Sequence, residues 1–355
     1  MKRSMRIGID ANEANVSHRV GSNVYAFEVL TRLYRQGNQH QFTIYLAGAP
    51  LADLPRPKAN WQYRVINPGF FWTQWRLPLD LLIHRPRPVV FLTLGHYAPR
   101  FSPIPIIICI MDLAFLKFPE TFRKRDLYKL TAWTRYSVKQ ASQIFAISQA
   151  TKQDIINSYG FAADKISVAY PGIDKLQATG KSPVSGKYLL YIGTLQPRKN
   201  IEALIEACKD GPCRLVIAGK LGWKYKIKSA PQVKYLGYVP QDRLAGLIKG
   251  SQGLVLPSLY EGFGIPVVQA MSLGVPVLVS RNSSLTEIVG DAGFYIEPPF
   301  DSAAIRVGLN KLLNLTSAQK QSLVVSARQQ VAQFTWEKTA KIILKSIFER
   351  YGRTH

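Results

Sequence analysis

A chain of 355 residues, 47% hydrophobic and 19% charged, has the composition of a globular protein and is long enough for two domains with sizeable cores. Its net charge of +24, from 46 Lys and Arg against 22 Asp and Glu, calls for an anionic partner: nucleic acid, an anionic membrane surface or a phosphorylated small molecule. Up to Lys175 there are 23 basic and 11 acidic residues, and the same numbers follow, which excludes a single basic tail.

The N-terminus, MKRSMRIGID, lacks a signal-peptide apolar region and runs straight into a strand at 6–10. After a loop holding Gly21, the apolar residues Ala26, Val29, Leu30 and Leu33 recur at i, i+3, i+4 and i+7, the face of a helix. Strands are predicted at 42–46, 89–93 and 105–110, and the triplet Ile106, Ile107, Ile108 reads as a strand buried on both faces of a parallel sheet. The apolar run 104–116 is too short to span a bilayer, and Asp112 interrupts it. A helix is predicted over 122–141, with Arg125, Lys129, Arg135 and Lys139 on one side and Leu127, Leu130, Thr134, Val138 and Ala141 on the other. Its basic side is either a solvated face or a dock for anionic lipid head groups. The aromatic run Phe70-Phe71-Trp72-Thr73-Gln74-Trp75 is either buried or an added interfacial contact.

The stretch 175–187 is polar, contains Gly and Pro, and reads as a linker. Beyond it strands are predicted at 188–193, 214–219, 233–237, 253–257 and 275–280, with helices between, and a last helix over 336–350. Alternating β and α on both sides of a linker gives an α/β protein of two doubly wound domains. The three cysteines, Cys109, Cys208 and Cys213, include no CxxC pair and fit a reduced cytosolic protein. The expected location is the cytoplasm, peripheral at the inner membrane face if the basic helix docks there.

Ligands of open parallel sheets bind beyond the carboxyl ends of the strands. One strand is expected to end at Gly193, and a helix to begin with Asn200 as N-cap and Ile201, Leu204, Ile205 and Cys208 as its apolar face. Arg198 and Lys199 then stand beside a helix N-terminus, either as solvated surface charges or as a phosphate grip. The stretch 256–271 repeats the arrangement: a strand end, the turn Glu261-Gly262-Phe263-Gly264-Ile265, and Pro266 in the first turn of a helix. Glu261 suits sugar hydroxyls, and Gln269 suits a ribose.

On these motifs, together with Tyr170-Pro171-Gly172-Ile173-Asp174, Leu215-Val216-Ile217-Ala218-Gly219-Lys220 and Ser284-Leu285-Thr286-Glu287-Ile288-Val289-Gly290, the chain resembles the retaining glycosyltransferases of the GT-B fold. These form the large group four that includes bacterial mannosyltransferases. The resemblance covers nearly the whole chain and is densest over 188–298. It implies two Rossmann-like domains facing a cleft, at 1–180 on the acceptor side and 187–335 on the donor side, with 336–355 crossing back. It puts Lys199 against the donor phosphates and Glu261 on the transferred sugar. Gln269 stands where the family's Glu-x7-Glu motif has its second Glu, and keeps hydrogen bonding but not charge. Thr194 stands where many members carry an Arg, a place Arg198 can fill. Gly193, Gly262, Phe263, Gly264 and Ile265 complete the implied donor site; Gly21 either joins it or is a simple turn, and His96 either falls close to the donor sugar or is a structural or exposed histidine. Met111 replaces a family His before Asp112, which either orients an acceptor hydroxyl or caps a turn. Ser148 is a cleft serine or a helix N-cap.

The implied activity is transfer of a hexose from a nucleotide sugar, GDP-mannose first and a UDP-sugar next, to a glycan or lipid-linked acceptor in polysaccharide biosynthesis. The anomeric configuration is retained by front-face attack. No Asp-x-Asp motif or metal-spaced ligand cluster occurs in the sequence, so neither a metal nor another cofactor is expected. Two other readings compete: a catalytically degenerate GT-B protein, on the evidence of Met111 and Gln269, and a nucleic-acid-binding protein, for which the charge speaks but no recognition motif does.

Overall fold

The computed structural model describes residues 4–174, 176, 182–209, 211–222 and 230–352. The chain forms two compact units. One comprises Met1–Leu113, Arg125–Gly172 and Thr335–His355, the other Ala114–Lys124 and Ile173–Phe334. The passage into the second unit thus falls at Gly172 and Ile173, ahead of the polar stretch 175–187; Lys175 and 177–181 of that stretch lie outside the described residues. The short excursion 114–124 is a second departure from the 1–180 boundary.

In chain order the first unit runs β1 (Arg6–Asp10), α1 (Ser22–Gln36), β2 (Gln41–Leu46), β3 (Trp61–Val65), a π-turn at Trp72–Arg76, α2 (Leu77–Ile83), β4 (Val90–Thr93) and β5 (Ile106–Ile110). The excursion carries α3 (Ala114–Lys117). The chain then continues with α4 (Lys124–Gln140), β6 (Gln143–Ala146), α5 (Gln149–Tyr159) and β7 (Ile166–Val168). The strands form one parallel sheet in the order β3-β2-β1-β4-β5-β6-β7. Every residue of β4, β5 and β6 is buried, which is why β5 reads as an unbroken apolar run; β4 and β6 bury Thr93 and Gln143 as well.

The second unit follows with β8 (Tyr188–Ile192), α6 (Ile201–Cys208), β9 (Arg214–Ala218), β10 (Val233–Gly237), α7 (Gln241–Lys249) and β11 (Gly253–Leu256). It closes with α8 (Ile265–Ser272), β12 (Val277–Ser280), α9 (Leu285–Val289), β13 (Phe294–Ile296), α10 (Ser302–Leu313) and α11 (Ser317–Val331). Its sheet is again parallel, ordered β10-β9-β8-β11-β12-β13. In each sheet the strand order reverses once, between β1 and β4 and between β8 and β11, and a crevice opens beyond the strand ends at such a point.

The last helix, α12 (Trp336–Tyr351), belongs to the first unit. It buries Trp336, Ala340, Ile343 and Ile347, and Trp336 meets Tyr25 of α1 edge-on at 5.9 Å. Thr335 caps its start by accepting the Lys338 N–H. A Cβ at Gly172 would stand 2.1 Å from the Trp336 nitrogen, so only glycine lets the helix start here. Among the described residues no helix is long and apolar enough to cross a membrane.

Candidate active site

In the second unit, β8 and β9 end against each other: the Gly193 N–H donates to the Ala218 carbonyl at 3.0 Å, and a Cβ on Gly219 would stand 1.9 Å from the Gly193 oxygen. The chain then turns through Thr194, which is exposed, and a short 3-10 turn at Pro197–Lys199. Asn200 departs from the N-cap reading. It adopts a left-handed conformation, and its side chain caps no helix N–H but donates to the Pro299 carbonyl at 2.6 Å. The turn is therefore tethered across the unit to the segment after β13.

Arg198 and Lys199 are not free surface charges. Lys199 Nζ donates to Glu261 Oε1 in a close ion pair, and their side chains are 12% and 10% exposed. Arg198 donates to the Tyr260 carbonyl at 2.8 Å and lies 3.9 Å from Glu261 Oε2. Its Nε is buried without a hydrogen-bond partner among the described residues. Two cations thus face one carboxylate, leaving a half-buried cluster with surplus positive charge at the switch point. Burial alone would raise the Glu261 carboxyl. The charges of Lys199 and Arg198 and the hydrogen bonds from Lys199 and Ser258 outweigh it and hold the group below the ordinary glutamate range.

The Glu261 turn is held by serines that the sequence reading passed over. Ser258 donates to Glu261 Oε1 at 2.7 Å, and Ser283 Oγ accepts the Glu261 N–H at 3.0 Å. Ser284 donates to the carbonyls of Glu261 and Phe263, and Asn282 to those of Ser258 and Leu259. The signal for Ser284 lay in the quoted stretch 284–290; Ser258 is marked only by standing three residues before Glu261. Gly262 is buried, Gly264 takes a left-handed φ of 104°, and α8 begins at Ile265 with Pro266 in its first turn. Phe263 is a packing residue, 3% exposed and edge-on to Phe334 at 5.3 Å. Gln269 is buried on α8. From the excursion 114–124, Phe118 packs on Tyr260 at 6.3 Å, and Lys117 Nζ lies 5.0 Å from the same ring.

The first unit brings a second set of residues to its own switch point. Gly21, at φ 51°, opens α1 with nothing within 4 Å of where a Cβ would stand. Beside it Asn23 donates to Glu13 Oε2 at 2.7 Å. Asp10, at the end of β1, accepts from Trp72 Nε1 at 3.0 Å and from the Asn12 backbone and side chain. Burial keeps the Asp10 carboxyl raised despite these bonds. Neither Asp10 nor Glu13 stood out in the sequence.

His96 is half-buried after β4, and its Nε2 accepts the Met111 N–H at 2.9 Å. That role requires the neutral ring with its proton on Nδ1. Burial lowers the imidazole pKa in the same direction, with Asp112 opposing it. Nδ1 is buried without a partner among the described residues. Asp112 itself is half-buried just beyond β5. Ser148 is fully buried and caps α5: it accepts the Thr151 N–H at 3.0 Å and donates to Thr151 Oγ1 at 2.9 Å.

The helix read over 122–141 is α4, at Lys124–Gln140, with Thr134, Ser137 and Val138 buried. Arg125, Arg135 and Lys139 are exposed, whereas Lys129 folds its ammonium over the Trp133 ring at 5.6 Å. The aromatic run divides: Trp72 is buried, and Phe70, Phe71 and Trp75 are exposed.

Comparison with known proteins follows the same two halves. The family model for glycosyl transferases group 1 matches residues 173–330, and that for Glycosyltransferase Family 4 matches residues 20–175. The O-antigen chain mannosyltransferase B of Escherichia coli is 30% identical over 307 residues, covering 78% of this chain and 76% of the relative. Sucrose-phosphate synthase from Thermosynechococcus elongatus superposes with a TM-score of 0.73 at 16% identity, covering 98% of both chains. The Anabaena protein HepE, in complex with UDP-glucose, superposes at 0.69 and 19% identity over 97% of this chain and 100% of its own. At these identities the likeness to the solved structures is one of fold.

Proposed function

This chain belongs to the group-1 glycosyltransferases of the GT-B fold, and from that premise we propose that it moves a hexose from a nucleotide-diphosphate sugar to a glycan or lipid-linked acceptor with retention of configuration. The observation that carries the reading is the Arg198, Lys199 and Glu261 cluster at the switch point of the second sheet. Departure of a nucleotide diphosphate builds negative charge on the leaving oxygens. Fixed cations held in a half-buried site stabilise that charge more in the transition state than in the ground state. Lys199 and Arg198 take this role, with the start of α8 behind Gly264 supplying backbone N–H groups. Glu261 holds the ammonium in place before the donor arrives and then faces the sugar hydroxyls, while Gln269 takes the ribose.

In this reading protein cations neutralise the diphosphate and no metal or cofactor is used, so EDTA leaves transfer unchanged. His96, in its neutral form, belongs to the sugar side, and Asp112 to the acceptor side. The mannosyltransferase relative supports GDP-mannose as the first donor to try; UDP-glucose follows from the HepE complex. The O-antigen relative points to polysaccharide biosynthesis, and three buried free cysteines accord with a cytoplasmic location.

The test is a thermal-shift screen of nucleotide sugars with and without EDTA, followed by transfer assays. Lys199→Ala abolishes the response to the preferred donor and lowers turnover by about a hundredfold or more, the scale on which single oxyanion donors act. A Lys199→Ala variant that binds and turns over normally removes the cluster from the mechanism. A second reading, a donor-binding protein without turnover, is favoured by Gln269 and Met111 standing in place of the family's Glu and His. Under it the donor shifts the melting temperature while neither transfer nor donor hydrolysis is detected.

A further inference from the structure

Helix α2 is apolar on two sides. Leu77 and Leu81 are buried and pack with Trp72, Tyr45 and Phe91. Facing the other way, Leu79, Leu82 and Ile83 are 43%, 44% and 73% exposed, and Trp75, in the π-turn leading into the helix, is 58% exposed. Together these four fall at i, i+4, i+7 and i+8, one outward stripe. Phe101 lies beside Trp75 at 6.4 Å, and the stripe begins beyond Phe70 and Phe71, both mostly exposed. The buried side already fastens the helix to its unit, so the outward stripe serves no packing within it. Contiguous apolar surface of this kind marks a contact with something else.

The surrounding charge says with what. Between residues 66 and 101 the one acidic side chain is Asp80, and Arg64 holds it in an ion pair. Arg76, Arg85, Arg87 and Arg100 border the stripe. Arg76 lies over the Phe70 ring at 5.6 Å, and Arg85 anchors on the Leu82 carbonyl at 2.8 Å. On the far side Arg100 shares a cavity of about 150 Å³ with Thr73, Gln74, Tyr136 and the 71%-exposed Tyr128 of α4. α4 also exposes Arg125, Arg135 and Lys139, against one exposed acid, Asp126.

We propose that this face is an insertion surface for an anionic lipid bilayer. The α2 stripe enters the acyl boundary, Trp75 and Tyr128 sit at head-group level, and the guanidinium border meets lipid phosphates. A border of one sign matches a sheet of phosphates. A second copy of this chain would bring the same positive border against itself, which disfavours a symmetric dimer through this face. The contact therefore centres on α2 and its aromatic approach, with α4 supplying long-range attraction. The inference rests on this surface alone and stands whichever donor is used.

Co-sedimentation of the full chain with vesicles tests it. The expected result is binding to phosphatidylcholine vesicles that contain phosphatidylglycerol, weakened by salt, and little binding to phosphatidylcholine alone. The double variant Trp75→Ser, Ile83→Ser lowers the partition coefficient by about tenfold or more, since two large apolar side chains leave the interface. Its melting temperature and nucleotide-sugar response stay those of the unaltered chain, which separates a failure here from a failure of the donor reading. The proposal is overturned if the unaltered chain ignores both vesicle types or if the variant binds as well. It is equally overturned if sedimentation velocity shows a dimer that the double variant dissolves.

Discussion

Glu261 answers to two cations, and removing its charge exposes the balance. Glu261→Gln removes the carboxylate that faces both Lys199 and Arg198, whose side chains are 12% and 14% exposed. Breaking a buried pair this way costs about 3–5 kcal/mol when enclosure is complete; with some solvent reaching both cations the expected loss is about 2–3 kcal/mol. Urea denaturation of the two proteins at neutral pH measures it. The pH dependence has a definite sign. The folded carboxyl lies below its unfolded value, so its stabilisation is fully present above the ordinary glutamate pKa of about 4.3 and fades as pH falls through the lower folded value. The difference between the two proteins therefore shrinks only in acid, and an undiminished gap there would show that charge is not its source. Of this cluster, each member was legible in the sequence as a residue at a strand end. Their pairing was not, because 62 positions separate Lys199 from Glu261 and only the sheet order brings β8 and β11 together. Asn200 misled for a local reason: asparagine tolerates the left-handed conformation about as well as it caps, and the bond to Pro299 decides between them.

The two strands beside the Pro197–Lys199 turn touch at a pair of glycines, which sets a sharp contrast among substitutions. Gly219→Ala would force a Cβ to 1.9 Å from the Gly193 oxygen at a φ of 156°. The ends of β8 and β9 must then separate, and we expect a loss of several kcal/mol together with loss of the donor response. Gly237 has a φ of 68° but open space around its would-be Cβ, so Gly237→Ala should lower stability by only about 1–2 kcal/mol and spare binding. Equal effects at the two positions, read from thermal melts, would mean that the close approach is not what matters. The central strands were legible because burial on both faces leaves apolar runs such as Ile106–Ile110. The missed strands are β3, an edge strand with one buried residue, Trp61, the four-residue β6, and β7 and β13 of three residues each. Short or edge strands carry too little apolar pattern to announce themselves. Helix α2 was hidden because its apolar residues point both ways, which erases the amphipathic period.

Seen whole, the molecule is threaded so that each unit depends on distant chain. The first sheet takes its final helix from Trp336–Tyr351, and the crossings at Gly172 and Phe334 run side by side, with the Ile173 N–H donating to the Phe334 carbonyl at 3.2 Å. A chain cut after Phe334 should keep the second unit folded and lose the first. Limited proteolysis should then cleave within 4–113 and 125–172 while leaving 182–209 and 230–334 resistant, and uniform protection of both units would contradict the dependence.

That threading has a consequence for biosynthesis. The helix that covers Tyr25 is translated after the whole of 173–334, so at ribosomal speed the first sheet waits on the order of ten seconds for its missing cover. During that interval the nascent first unit presents a bare apolar groove while the second unit is still being made. Chaperones that shield emerging chains should therefore engage the earlier-made half longer than the later one, and release it once Trp336 has left the exit tunnel.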